Sequence, residues 1–265
     1  MECLLCKNEK NELAKAHIFP IGFFGKIETK GQVQTFGISG QKGRRLQKAI
    51  YDGEIVCHYC EHTILAPLDD YAIKVLRDKL GAKEIIPHPD DQGLKLYVFD
   101  NIDKRKLRQF FASILWRVSV SKQLELQNIS VGLQYEQKIQ HDLLHDGTVD
   151  YIDVVVSLLS DPMHNAFFLP YRKKINPIDY RRDSQPVNGW MLQLPNIEVH
   201  LSLDKRQHPG RIFIELTDKN GLLISTSIHP ESDKYKFSFI EQRKNEFQLN
   251  QIIKSYVTHQ HNKLL

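Results

Sequence analysis

Cys3-Leu-Leu-Cys6 and Cys57-His-Tyr-Cys60 hold all four cysteines of the chain, as two C-x-x-C pairs with 50 residues between them. Two such pairs match a tetrahedral zinc site with four thiolate ligands, because each turn sets two sulfurs ~3.5–4 Å apart on one side of the ion. Each pair also lies near the end of a short apolar stretch, at residues 2–5 and 54–56. That is the context of a knuckle at a hairpin tip or at a strand-to-helix step. Four unrelated buried thiols are one alternative. A redox-active C-x-x-C is another, although Cys3 is too near the terminus to follow the strand of a thioredoxin-like unit. Paired disulfides would suit a secreted peptide, and no leader with basic and apolar regions opens this chain.

Composition bounds the class. The chain has 265 residues, 41% apolar and 26% charged, enough for one large domain or two small ones with a real core. Mean hydropathy is −0.40, and no run approaches the ~18 apolar residues needed to span a bilayer. A cytoplasmic protein without a membrane partner is expected. The net charge of +4 is too small to imply nucleic acid, but the charge is segregated along the chain. Residues 26–48 carry six basic side chains against one acid, residues 61–103 five against nine, and residues 104–122 six against none. Within the first block, Gly37-Ile-Ser-Gly-Gln-Lys42-Gly-Arg44-Arg45 is a basic, glycine-rich loop. With Lys48 it suits a phosphate backbone, each cation releasing counterions on contact. A solvated hairpin tip would look the same.

Between the knuckles lies Leu13-Ala-Lys-Ala16-His17-Ile-Phe-Pro20, and Glu61-His62 follows the second pair directly. This arrangement resembles the HNH (ββα-metal) nuclease superfamily. It is closest to a bacterial group with C-x-x-C, a Ser/Ala-His-Ile-x-Pro box and a second C-x-x-C followed by Glu. The resemblance covers about residues 1–75. It implies that His17 is the general base activating water against a phosphodiester, and that Glu61, with His62 beside it, holds a catalytic Mg²⁺ or Mn²⁺. It implies DNA more than RNA as substrate, and a setting in bacterial defence, sometimes beside an ATPase partner. Two departures from the family pattern favour a rival reading, a non-catalytic zinc module that contacts nucleic acid or a protein. Ala16 stands where a metal ligand is usual. No asparagine lies between Asn11 and Asn101 to orient the histidine, a task open to Asp52, Gln47 or a backbone carbonyl.

Beyond the knuckles, helical spacing predicts helices over 61–80, 104–120 and 124–144, and a strand near 94–99. The middle helix carries the stripe Leu107, Phe110, Phe111, Ile114, Leu115 and Val118, with Arg117 among the basic residues expected off it. Residues 151–159 read as apolar without a clear period. His141-Asp-Leu-Leu-His145 imitates a metalloprotease H-E-x-x-H motif but lacks its glutamate, and an exposed helix face is expected there. Four prolines mark 160–188 as a connecting segment. Strands follow at 190–194, 197–203, 211–216 and 222–227, with a turn at 218–221 and a closing helix over 241–256. The expected whole is an α+β protein: a zinc-stapled, HNH-like (treble-clef-like) module over 1–80, a mainly helical region over 81–160, and antiparallel strands with a closing helix over 161–265.

Overall fold

The computed structural model describes residues 1–24, 33–36, 45–46, 50–85, 96–99, 102–159, 167–175, 187–195, 197–203 and 223–227. The fold is α+β. Strand β1 (Ala16–His17) pairs antiparallel with β4 (Tyr51–Asp52), Ala16 opposite Asp52 and His17 opposite Tyr51. Between them in sequence lie β2 (Val33–Phe36) and β3 (Arg45–Leu46), which join a larger sheet.

Helix α1 follows at once, as four consecutive helical segments over 58–77. Cys57 is its extended N-cap and makes no side-chain cap bond, so its sulfur is left for another task. The turns at Glu61–Leu65 and Ile73–Arg77 are widened to the π form. Pro67 explains the first of these. It has no N–H to give the Thr63 carbonyl, and the widened turn just before it absorbs the missing bond.

Helix α2 (Lys104–Val120) has the predicted bounds, with Asp103 capping the Lys106 amide. Leu107, Phe110, Phe111, Ile114, Leu115, Trp116 and Val118 are all buried in it, the pattern of a helix enclosed on most sides. Helix α3 (Leu133–Leu144) packs beside it. The helix expected over 124–144 is in fact interrupted. A 3-10 turn at Leu124–Leu126 is followed by a break, and α3 begins after Gly132, whose φ of +91° an L side chain rarely adopts.

The remaining strands are β5 (Ala82–Ile85), β6 (Leu96–Phe99), β7 (Asp153–Leu159), β8 (Phe167–Ile175), β9 (Val187–Leu194), β10 (Ile197–Ser202) and β11 (Leu223–Ser227). With β2 and β3 they form a nine-stranded sheet in the order β3-β2-β8-β9-β10-β7-β11-β6-β5. Its pairs are antiparallel except β2 with β8 and β11 with β7. The sheet therefore takes strands from all three sequence regions. β10 shows why it stays put: Ile197, Val199 and Leu201 face the core, while Glu198 and His200 lie half-buried on the other side.

The apolar run at 151–159, whose period left its form open, holds the strand β7. One expectation is corrected here. The supposed connecting segment over 160–188 contains β8, and Pro170 sits where the register with β9 slips, between Phe168 and Tyr171. A proline that would break a regular ladder is tolerated at such an irregularity. The predicted strand at 211–216, the turn at 218–221, the helix over 241–256 and most of the loop over 37–45 lie outside the described residues. Among the described residues, no helix is long and apolar enough to cross a membrane.

Candidate metal centre and the adjoining histidine site

The first knuckle is built by backbone bonds. Lys7 donates its N–H to the Cys3 carbonyl at 2.8 Å, and Cys3 donates to Asn8 at 3.0 Å, closing a turn over the two sulfurs. Leu4 donates to Ile55 and Ala14 to Val56, both at 2.8 Å. These bonds lay the turn against the start of α1. From α3, the Gln140 amide donates to the carbonyls of Leu4 and Leu5 at 3.0 and 2.6 Å.

The result gathers Cys3, Cys6, Cys57 and Cys60 so that their sulfurs all lie within 4.8 Å of one another. Cys3 to Cys60 and Cys6 to Cys57 are each 3.9 Å. A tetrahedral zinc with Zn–S near 2.3 Å has sulfurs about 3.8 Å apart, so the donor set suits zinc. Three of the four cysteines are buried, and all are free thiols. The Cys57 N–H donates to the Cys3 sulfur at 3.2 Å.

The electrostatics point the same way. Burial pushes the Cys3 thiol up, against hydrogen bonds from the Cys6, Cys57 and Leu5 amides. Burial and then the charge of Cys3 push Cys60 up strongly. Burial also acts on Cys57, but the Cys60 amide and the neighbouring thiols outweigh it and bring that thiol down to about 7. Four sulfurs so close and so buried repel one another as thiolates, and a divalent cation relieves that repulsion. The four cysteines are positioned to bind a metal, and zinc suits such a donor set.

Beside it, the knuckle brings His17 and Glu61 together. The His17 backbone N–H donates to the Glu61 carboxylate, which burial pushes up while the Arg117 charge pulls it down. The other carboxylate oxygen, Oε2, is buried with no hydrogen-bond partner. His17 is half-buried. Burial lowers its imidazole below the ordinary 6.5, the nearby Asp69 charge opposing and Arg117 and Lys15 assisting.

His62 follows Glu61 on the helix, and its charge is among those that act on the Glu61 carboxylate. His62 itself is exposed, and its ring stacks on His58, with centroids 6.1 Å apart. His58 in turn meets Glu12 at 3.0 Å. Arg45 belongs to the short strand β3. Lys42, Arg44, Lys48 and Gln47 lie outside the described residues. His141 and His145 sit side by side on the exposed end of α3, with ring centroids at 4.6 Å.

The largest departure from expectation is Arg117. Rather than lying on a basic edge, it is fully buried. Its guanidinium donates to both Asp69 oxygens at 2.7 and 3.0 Å and to the His17 carbonyl at 2.7 Å. It also bonds the Ser113 hydroxyl at 3.0 Å. Burial pushes the Asp69 carboxyl up and this guanidinium pulls it back. Arg117 thus ties α2, α1 and β1 together behind the histidine. Its spacing was the available signal, because 107, 110, 114 and 117 share one helix face.

Asp52 is buried too and fully engaged elsewhere. It accepts from the Glu54 amide at 2.8 Å, the Ser121 hydroxyl at 2.7 Å and the Lys122 amide at 3.3 Å. It joins β4 to the end of α2 and does not orient the His17 ring. A scan against protein-family models and searches of curated proteins and of solved structures return no match to this chain.

Proposed function

We propose that the chain is a metal-dependent, HNH-type endonuclease that hydrolyses nucleic-acid phosphodiester bonds. One observation carries this reading: the strand bearing His17 pairs with the strand that leads into the Glu61 helix, and beside the cysteine tetrad the His17 backbone N–H meets the Glu61 carboxylate. His17 takes a proton from water, and the resulting hydroxide attacks phosphorus as the bond to the leaving oxygen breaks. Arg117 fixes the histidine backbone through its carbonyl, so the imidazole is presented from a rigid strand.

Glu61 would hold Mg²⁺ or Mn²⁺, which when bound supplies charge stabilisation to the phosphate and the leaving oxygen. The residues fit such an ion. Hard cations prefer carboxylate oxygen, and Glu61 Oε2 is a buried acceptor with no donor. Mg²⁺ commonly takes one or two carboxylates, with waters and substrate phosphate completing its shell.

A second reading, a zinc module that binds nucleic acid or a protein without cutting, is favoured by Ala16. That residue is wholly buried and offers no ligand. Among the described residues, the cysteine tetrad is also the one cluster of three or more metal-binding side chains. Cleavage of supercoiled plasmid and of labelled RNA by zinc-loaded protein, with Mg²⁺ or Mn²⁺ added, separates the two readings. The nuclease reading expects nicking by the parent and at least about a hundredfold loss in His17→Ala. Equal nicking by both proteins, or none by either, overturns it.

A further inference from the structure

His17 shares one face of the β1–β4 ribbon with Tyr51, because directly opposed residues of an antiparallel pair point the same way. Two positions before His17, Lys15 is exposed, and its ammonium lies 3.7 Å from the centroid of the Tyr51 ring. Tyr51 is itself 40% exposed. Among the described residues, the ring is the partner of that ammonium, and no carboxylate neutralises it. A lysine on a flexible stem normally spreads its charge over many rotamers. Here a cation–π contact holds it at one place. The charge reaches the site, since Lys15 is among the groups that act on the His17 imidazole. Arg117, the other cation that acts on the imidazole among the described residues, is buried and bound to Asp69. Among the described residues, Lys15 is therefore the cation beside His17 left open to an incoming anion.

We propose that Lys15 contacts a backbone phosphate of DNA beside His17, and that Tyr51 is the positioning residue that holds the ammonium there. The inference rests on the nuclease reading for its substrate class, but it is tested by binding alone. The measurement is fluorescence anisotropy of a labelled duplex of about 30 base pairs with the zinc-loaded full chain, without Mg²⁺ or Mn²⁺, across about 50 to 200 mM salt. Each phosphate contact contributes about 0.9 to the slope of log K against log salt. Lys15→Ala should flatten the slope by about 0.9, so that the affinity lost over this fourfold salt range shrinks about 3.5-fold. Lys15→Arg should keep the parental slope. Tyr51→Leu should behave like Lys15→Ala, Tyr51→Phe like the parent, and the double variant K15A/Y51L like Lys15→Ala alone.

An unchanged slope in Lys15→Ala overturns the proposal, as does a parental slope in Tyr51→Leu or a parent that does not bind the duplex. The two readings fail separately. His17-dependent cleavage with a slope indifferent to Lys15 removes this inference and leaves the nuclease. A Lys15-dependent slope without any cleavage does the reverse.

Discussion

Arg117→Leu should be the most informative single change to the fold, because its cost must depend on pH in a particular direction. The wild-type guanidinium is wholly buried and binds both oxygens of Asp69, itself 8% exposed. Without it, the carboxylate either stays ionised alone, at several kcal/mol, or takes a proton. Protonation costs about 1.36 kcal/mol per pH unit above the ordinary 3.8, hence about 4.4 kcal/mol at pH 7. The cheaper route caps the penalty, and the expected loss at pH 7 is about 3–5 kcal/mol. Burial already holds the folded pKa of Asp69 above its ordinary value in the wild type, and losing the guanidinium that opposes burial raises it further. The stability tied to that group is then present at low pH and is lost as pH rises through the folded value. The deficit against wild type should therefore grow by up to about 2.7 kcal/mol between about pH 5.5 and 7.5. Asp69→Asn leaves a buried guanidinium that cannot shed its proton, so its deficit should be similar in size and flat with pH. Replacing both residues by leucine should recover most of the loss. Urea denaturation with excess zinc at both pH values measures all three variants. A loss under about 1 kcal/mol in Arg117→Leu, or a deficit that does not grow with pH, refutes the buried-pair argument.

Other perturbations give sharper local answers. Cys57→Ser should abolish stoichiometric zinc by metal analysis. It should also remove the stabilisation an ion gives the folded state, about 4 kcal/mol at a thousandfold excess over Kd, seen as a lower Tm that added zinc no longer raises. Asp52→Ala removes a carboxylate serving three donors, one just after β4 and two just after α2. It should cost about 2–4 kcal/mol in urea unfolding without changing zinc content. Gly132→Ala forces a side chain into the region at φ +91° and ψ 146°. It should cost about 1–3 kcal/mol, with fraying of α3 visible as faster amide exchange in its first turn.

The parts of the fold that the sequence revealed are those where one local rule decides. The stripe from Leu107 to Val118 sets α2 at its observed limits. The two C-x-x-C pairs announced the cysteine centre because four thiols at that spacing have few other uses. The misreadings came where two rules compete. Pro170 argued for a loop, yet a register slip lets it remain in a strand. Gly132 broke a helix whose apolar spacing looked continuous. Arg117 was read by its charge, although its place three residues after Ile114 and seven after Phe110 put it on the buried face. Its partners, Asp69 and the His17 carbonyl, lie 48 and 100 residues away, and no local pattern in the chain records such a pairing.

X-ray absorption at the zinc edge of the purified, zinc-loaded protein tests the centre on which the rest depends. The account predicts one zinc per chain in a single shell of four sulfurs at about 2.3 Å. A shell containing nitrogen or oxygen, or fewer than four sulfurs, would contradict it, because the clamp that joins His17 to Glu61 would then be closed by something other than these cysteines.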